Sequence, residues 1–307
     1  MQKPKNVMHF KIKYQQSFFG KLWFIYSQRL LKVLVNKRAN FFLKPNDIIS
    51  SRPTIFAYHE IHIEMLIEDA ASVYKDFFLD LGANIGLTSC LVGKHFSRVD
   101  CVEPNELVFN ILKTNVAMHL SNVKYHCHMV GLGKEDELLK LLVPQDNFGG
   151  AFIEENNELT SRKLHEKSST DGIDNENHVE TQITVKKAET WLKSYFEEMR
   201  QKKHFAGIVK IDVEGYEEII FESIVKCLPK DISVVVIMEN WFDRFPTNQF
   251  TSKTHRTEWF YFKKKKRYLH SIPFKLLGLS SSYSHELAPL TEKTNSPHDV
   301  ICIMSGT

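Results

Sequence analysis

The chain has 307 residues, of which 43% are apolar and 25% charged, so it is long enough for one large globular domain with extensions. No uncharged run reaches the ~18 residues that a membrane-spanning helix needs, and the polar, basic start lacks a signal-peptide core. We therefore expect a cytoplasmic protein. The scattered cysteines form no C-x-x-C pair or zinc-type cluster, and they indicate buried free thiols in a reducing compartment. They are Cys90, Cys101, Cys127, Cys227 and Cys302.

Charge is distributed unevenly along the chain. Residues 1–46 contain ten Lys or Arg and no acid, and residues 251–307 contain nine basic and four acidic residues. Residues 47–250 carry 21 basic and 33 acidic residues. An acidic body with basic ends cannot offer a continuous phosphate track, so nucleic acid is an unlikely partner.

Residues 1–46 are predicted to form a basic amphipathic N-terminal extension, separate from a catalytic domain at 47–307. Within it, residues 17–38 repeat aromatic and aliphatic side chains at a helical period, with Lys and Arg on the other face. Packing on the catalytic domain or on a partner subunit is the favoured interpretation, because most apolar stripes are packing surfaces. The alternative is that residues 17–44 contact an anionic membrane surface.

The stretch from Phe78 to Gly86 indicates a buried strand that passes into a helix through a small-residue turn. Its spacing is Asp-x-Gly-x-Asn-x-Gly, whereas a dinucleotide fingerprint reads G-x-G-x-x-G. The acid would repel a pyrophosphate but suits a cofactor with a cationic amino-acid end, such as S-adenosylmethionine (SAM). We expect this segment to bind the cofactor through Asp80, Gly82, Asn84, Gly86 and Thr88.

The next predicted strand ends at Glu103-Pro104-Asn105, about twenty residues after the glycine turn. An acid at this distance suits the hydroxyl groups of a ribose. Pro104 stops the strand and suits the first turn of a following helix. All three residues are therefore predicted to lie at the cofactor site.

Strands and helices alternate along the rest of the chain, which favours an α/β fold with a mostly parallel central sheet. A helical or mixed segment is predicted at 54–74, before the first strand. It contains His59 and His62, which we interpret as surface residues rather than as metal ligands. Residues 154–180 are a polar, flexible insertion. Strands are predicted near 77–81, 99–102, 123–128, 138–143, 181–185, 208–211, 234–238 and 300–304, and helices near 86–95, 106–119, 188–200 and 217–227.

The motifs DLGANIG, VEPN and VKIDVEGYE resemble those of the FkbM family of SAM-dependent methyltransferases, over roughly residues 75–240. The resemblance implies a Rossmann-like class I methyltransferase fold. It also implies SAM as cofactor and methylation of an oxygen, often on a sugar or another hydroxylated small molecule.

Three residues near the end of a later predicted strand are candidates for the chemistry. An alcohol acceptor must lose its proton, and Asp212 and Glu214 are candidate bases at the exit of this strand. Lys210 is placed to neutralise the acidic group. The alternative interpretation is helix capping by the acids around Glu217, which does not account for Asp212 and Glu214.

A metal site is a second interpretation of the same sheet edge. Asp212, Glu239 and Asn240 follow neighbouring predicted strands and offer only oxygen ligands, which suit Mg²⁺ or Mn²⁺. Hydrogen bonding to the acceptor is the alternative role for these three side chains.

The basic run Lys263–Arg267 follows four consecutive aromatic residues. We interpret it as a solvated loop. Contact with anionic lipid or with a phosphorylated glycan carrier is the first alternative, and nucleic-acid binding is the last.

The sequence therefore predicts a SAM-dependent O-methyltransferase acting on a sugar or glycan hydroxyl, with a lipid-linked or surface-polysaccharide precursor as one candidate acceptor. The alternatives are methylation of another small molecule, RNA or protein, and a non-catalytic member that binds SAM or a partner. The chain lacks the Asn/Asp-Pro-Pro-aromatic motif of amino-group methylation, which disfavours N-methylation. An NAD-dependent oxidoreductase is opposed by the missing G-x-G-x-x-G.

Overall fold

The structure is a computed structural model of the chain. It describes residues 26, 41–43, 60–144, 151–153, 178–213, 215–240, 250, 252–266, 283–291, 294 and 297–306.

The described residues form a large sheet, a small sheet and helices that cover both faces of the large one. The strands are β1 (Phe77–Leu81), β2 (Arg98–Val102), β3 (Lys124–His128), β4 (Gly131–Gly133), β5 (Glu137–Pro144), β6 (Phe152–Ile153), β7 (His178–Lys187), β8 (Ala206–Ile211), β9 (Ser233–Glu239), β10 (His255–Lys266), β11 (Tyr283–Pro289) and β12 (Asp299–Gly306). The helices are α1 (Ile61–Ala70), α2 (Leu87–Val92), which continues into a 3₁₀ turn (Gly93–His95), α3 (Glu106–His119), α4 (Ala188–Gln201) and α5 (Glu217–Cys227).

The large sheet has eight strands in the order β11-β10-β12-β9-β8-β1-β2-β3. Strands β3, β2, β1, β8 and β9 are mutually parallel, and β12 runs antiparallel between β9 and β10. This confirms the predicted α/β architecture with a mostly parallel sheet. Because parallel strands end at one edge, the residues that follow β1, β2, β8 and β9 lie near one another.

The central strands are buried on both faces, which explains their continuous apolar sequences. All five residues of β1 are buried. On one face, Phe77, Leu79 and Leu81 pack in a core with α4 and α5. On the other face, Phe78 packs in a second core with α1, α2 and α3.

Strands β4, β7, β5 and β6 form the small sheet, in that order. The predicted strands near 138–143 and 181–185 are thus confirmed as strands, and they pair with each other in this second sheet. The basic run was expected to be a loop, and that prediction is wrong for Lys263 to Lys266. These residues extend β10, because pairing with β11 satisfies their backbone groups.

Part of the N-terminal extension contacts the domain. Tyr26 is helical and 60% exposed. The buried Asn115 of α3 accepts a hydrogen bond from the backbone N–H of Phe42 at 2.7 Å and donates to the Phe42 carbonyl at 3.1 Å. The Phe41 ring stacks on His119 at 4.4 Å. The other residues of the extension, and most of the insertion at 154–180, lie outside the described residues.

Within the described part of the chain, no helix is both long and apolar enough to cross a membrane. The five cysteines are free, as expected.

Candidate active site

The turn after β1 has the backbone geometry that its glycines predict. Gly82, Asn84 and Gly86 all adopt positive φ angles of 79°, 51° and 84°. The N–H groups of Gly82 and Ala83 both donate to the carbonyl of Val102 at 3.0 Å, which joins the turn to the end of β2. A Cβ on Gly82 would lie 1.7 Å from the backbone oxygen of Asp212, so only glycine fits where the turn touches the end of β8.

Asp80 lies under this turn and is 1% exposed. Its Oδ2 accepts a hydrogen bond from Ser89 Oγ of α2 at 2.6 Å. Its Oδ1 is buried and accepts no hydrogen bond from any residue that the structure describes. Burial raises the pKa of Asp80, although the nearby Lys210 and the Ser89 hydrogen bond oppose the rise.

Glu103 occupies the predicted position at the end of β2 and bridges the turn to α3. Its carboxylate accepts from the backbone N–H of Asn84 at 3.0 Å and from that of Asn105 at 2.9 Å. Burial raises the pKa of Glu103 to about 7, with Asp80 and Asp212 adding to the rise and the two backbone hydrogen bonds opposing it.

The remaining predicted cofactor residues lie beside Glu103 and the turn. Asn105 is the N-cap of α3, and its side chain accepts from the N–H of Leu107 at 3.1 Å. Pro104 precedes it and is partly exposed, whereas Thr88 is buried in the first turn of α2. The structure therefore brings all eight predicted cofactor residues to one corner of the sheet, and their contacts with a cofactor stay a prediction.

Lys210 and Asp212 form an ion pair at the end of β8. Lys210 Nζ donates to Asp212 Oδ2 at 2.6 Å and lies 3.8 Å from Glu60 Oε2. The lysine is 5% exposed. Burial alone would lower its pKa, but the carboxylates of Asp212, Glu60 and Asp80 outweigh burial and raise it. Lys210 thus neutralises an acidic group, as its position in the sequence suggested.

Glu214, the second predicted base, lies outside the described residues. The residues on either side of it are held by Glu217, whose carboxylate accepts from the N–H groups of Val213 at 3.3 Å and Gly215 at 2.8 Å. Gly215 has a φ of 98°. From the sequence, Glu217 was expected only as a helix-capping acid, whereas here its carboxylate also fixes the backbone at Val213 and Gly215.

The three predicted metal ligands do not form a vacant cation site. Asp212 already pairs with Lys210, and Asn240 uses its amide to donate to the Pro297 carbonyl at 2.8 Å. Within the described ranges, no group of three or more His, Cys, Asp or Glu side chains is placed to hold a metal ion. His62 binds Asp299, and His59 lies outside the described residues. The residues present therefore do not fit a metal ion.

A pocket of about 170 Å³ opens between the ends of β8 and β9, the start of β12 and the residue before α1. Its polar lining includes Glu60, Lys210, Asp212, Glu239, His298 and Asp299. His298 and Asp299 were not predicted as site residues, because β12 is the last of the described strands and its antiparallel insertion beside β9 brings its first residues to this edge.

A strand-end glycine turn, a spaced acid and an adjoining pocket at the carboxyl edge of a parallel sheet are the features of a nucleotide-cofactor site in an open α/β fold. The sequence profile described as the methyltransferase FkbM domain matches residues 80–267, which is more than half of the chain. The chain therefore belongs to the FkbM methyltransferase family. Together with the sheet order, this confirms the expected Rossmann-like class I methyltransferase fold.

Comparison with curated proteins gave no match. Among solved structures, the fold is similar to the O-methyltransferase TomG of Streptomyces achromogenes, solved with SAM, with a TM-score of 0.42, 9% identity, and 93% and 98% of the two chains covered. It is also similar to a SAM-dependent methyltransferase of Agrobacterium tumefaciens, with a TM-score of 0.40 and 6% identity. That match covers 83% of this chain and 64% of the other, so the chain spans just under two thirds of it.

Proposed function

We propose that the protein transfers the methyl group of SAM to a hydroxyl oxygen of a sugar or glycan. The observation that carries this proposal is the acidic pocket that adjoins the glycine turn at Asp212. The backbone oxygen of Asp212 contacts the turn at Gly82, and the side chain of Asp212 lines the pocket. A methyl donor on one side of this residue and an acceptor on the other would be close together.

The cofactor corner fits SAM on structural grounds. Asp80 Oδ1 is buried without a hydrogen bond from the described residues, and a cationic amino-acid group would satisfy it. Glu103 uses its oxygens on two backbone N–H groups, and a carboxylate has lone pairs left for ribose hydroxyls. Gly82 and Asn84 are partly exposed, so the turn is open to a ligand. Bound SAM would supply an electrophilic methyl group on a sulfonium.

The charge of the pocket favours a neutral, hydroxylated acceptor. Carboxylates of Glu60, Asp212, Glu239 and Asp299 line it, against the single lysine Lys210. Such a lining repels phosphate groups, which argues against RNA, and it offers acceptors for hydroxyl donors. A sugar ring presents several hydroxyls at once, which lets the pocket orient one of them by hydrogen bonds to the others.

The experiment that tests this proposal has two steps. Calorimetry with SAM, with S-adenosylhomocysteine and with NAD establishes which cofactor binds. The enzyme is then incubated with SAM and a pool of methyl glycosides of hexoses, deoxyhexoses and uronic acids, and mass spectrometry detects the added methyl group. Binding of SAM and methylation of a glycoside are expected. The proposal fails if SAM gives no heat, or if a short RNA or peptide pool is methylated and the glycosides are not.

We also propose that the basic extension brings the enzyme to an anionic membrane surface, where a lipid-linked precursor of a surface polysaccharide would be presented. The absence of any acid in residues 1–46 supports this. A chain lacking residues 1–40 retains the docked residues 41–43. It should lose sedimentation with phosphatidylglycerol vesicles and keep SAM binding. Equal sedimentation of the two chains would refute the membrane contact.

A further inference from the structure

A histidine and two carboxylates meet at the rim of the pocket, where β9 and β12 pair. Asp299 is the register partner of Glu239 in these antiparallel strands. His298 Nδ1 lies 3.2 Å from Asp299 Oδ1, and His298 Nε2 lies 3.7 Å from Glu239 Oε1. The imidazole therefore lies between the two acids. Its side chain is 76% exposed, whereas Asp299 is only 10% exposed.

Asn240 holds the segment that carries this histidine through two hydrogen bonds. The backbone N–H of Asn240 donates to the carbonyl of His298 at 2.8 Å, and the Asn240 amide donates to the carbonyl of Pro297 at 2.8 Å. Behind the ring, Asp299 Oδ2 lies 3.2 Å from Nε2 of His62 on α1. Asn240, predicted as a metal ligand, instead holds the backbone of His298 in place.

We propose that His298 is the catalytic base of the methyl transfer and that Asp299 is its positioning residue. This rests on the proposed function. The acceptor hydroxyl gives its proton to His298 Nε2 as its oxygen forms a bond to the methyl carbon. The bond from that carbon to sulfur breaks, its electron pair stays on sulfur, and S-adenosylhomocysteine is released. The imidazolium then returns its proton to water.

Asp299 makes His298 suitable for this step. Asp299 lies within hydrogen-bond distance of Nδ1 at 3.2 Å, whereas Glu239 is 3.7 Å from Nε2, so the nearer carboxylate holds the ring proton on Nδ1 and the lone pair of Nε2 is the acceptor. After proton transfer, the imidazolium lies between two negative charges, which stabilise it. The hydrogen bonds from His298 and His62 hold the pKa of Asp299 well below its ordinary value in spite of burial, so the carboxylate stays ionised.

Asp212, the base predicted from the sequence, is less suited to the same step. Lys210 Nζ lies 2.6 Å from its Oδ2, and a proton on this carboxylate would compete with that ion pair. Among the described residues, the charged and titratable groups around the pocket and the rim are Glu60 before α1, His62 of α1, Lys210 and Asp212 at the end of β8, Glu239 of β9, and Asp299 of β12.

The first test needs neither cofactor nor acceptor. Long-range ¹H–¹⁵N NMR of the full chain identifies the ring signal that disappears in His298→Gln and reports which nitrogen carries the proton. The proposal expects the proton on Nδ1 in the wild type, and a loss of this preference in Asp299→Asn. A proton on Nε2 in the wild type would overturn it.

The second test follows methyl transfer to the glycoside pool as release of S-adenosylhomocysteine. His298→Gln should lower kcat by about a hundredfold or more, the usual effect of removing a general base. SAM affinity should be unchanged, and the acidic limb of the pH–rate profile in the range of histidine titration should disappear. Asp299→Asn should lower kcat by a larger factor than it raises KM for the glycoside, because asparagine keeps a hydrogen-bond acceptor in the pocket but no longer holds the ring proton on Nδ1.

His126→Gln is the matched control, because His126 is an exposed histidine on the edge strand β3. It should keep both the rate and the pH profile. A His298→Gln enzyme with the wild-type rate and profile would overturn the assignment. Failure of the proposed function is recognised separately, since it would appear as absent SAM binding in the wild type. If SAM binds but no glycoside is methylated, the tautomer measurement alone decides whether His298 is set up as a base.

Discussion

Replacing Glu103 with glutamine should alter both the pH dependence of stability and the binding of SAM. The carboxyl lies at the end of β2, 9% exposed, and accepts hydrogen bonds from the N–H groups of Asn84 and Asn105. Its pKa is raised from 4.5 to about 7, chiefly by burial. Glutamine keeps the shape and the burial but cannot ionise, so the variant isolates the contribution of the charge.

The magnitude follows from the pKa. Between pH 4.5 and about 7, the folded protein holds a proton on Glu103 that the unfolded chain has released. The free energy of unfolding therefore falls as pH rises through this window, at ~1.4 kcal/mol per unit, and levels off above it. From pH 5 to pH 8 this contribution falls by about 2.5 kcal/mol in the wild type. In Glu103→Gln it is absent, so relative to the wild type the variant should be less stable at pH 5 than at pH 8.

Urea unfolding at pH 5 and pH 8 measures this change, with Glu106→Gln as the matched control. Glu106 is exposed in the first turn of α3, and its variant should follow the wild type at both pH values. If Glu103→Gln and the wild type lose stability equally between the two pH values, the burial argument is wrong. Calorimetry should also show weaker SAM binding in Glu103→Gln, and wild-type affinity that falls below pH 7, because ribose hydroxyls bind the ionised form better.

Three further predictions concern the turn and its surroundings. Gly82→Ala places a Cβ 1.7 Å from the Asp212 backbone oxygen at a φ of 79°, and should abolish SAM binding or lower Tm strongly. Gly131→Ala, whose Cβ would meet a side chain at 3.2 Å, should change Tm much less, and equal effects would contradict the reasoning. Asn115→Ala removes three hydrogen bonds to backbone groups and should cost about 1–3 kcal/mol in urea unfolding; an unchanged midpoint would show that these bonds contribute nothing. EDTA should leave methyl transfer unchanged, because Lys210 supplies the positive charge beside Asp212; lost activity that Mg²⁺ restores would refute this.

Much of the fold could be predicted because its signals are local. The strand at 77–81 was predicted with the observed bounds, and so were the helices at 106–119 and 217–227. In each case the spacing of apolar residues within the element, or an acid or proline next to it, is enough to indicate the element. The basic run at 263–266 was misassigned because its backbone pairing with β11 is a long-range contact, and a paired strand can carry charges that a sequence pattern assigns to a loop.

The candidate site likewise has one part that the sequence predicts and one part that it does not. The cofactor corner follows from a turn and an acid about twenty residues apart, so local spacing sufficed to identify it. The acceptor side depends on long-range pairing. His298 and Asp299 reach Glu239 only because β12 inserts beside β9, and Asn240 contacts Pro297 for the same reason. No spacing between residues near 240 and near 298 signals this contact.

Asp212 explains why the two family motifs act together although they are about 130 residues apart in the sequence. Its backbone N–H donates to the carbonyl of Leu81 at 2.9 Å, and its backbone oxygen would lie 1.7 Å from a Cβ on Gly82. Its carboxylate pairs with Lys210, whose charge in turn offsets that of the buried Asp80. A change at the end of either strand therefore alters both the backbone contact and the charge balance of the other. On this geometry the glycine turn is shaped partly by the residue that lines the acceptor pocket, and substitutions there should affect SAM binding and acceptor binding together.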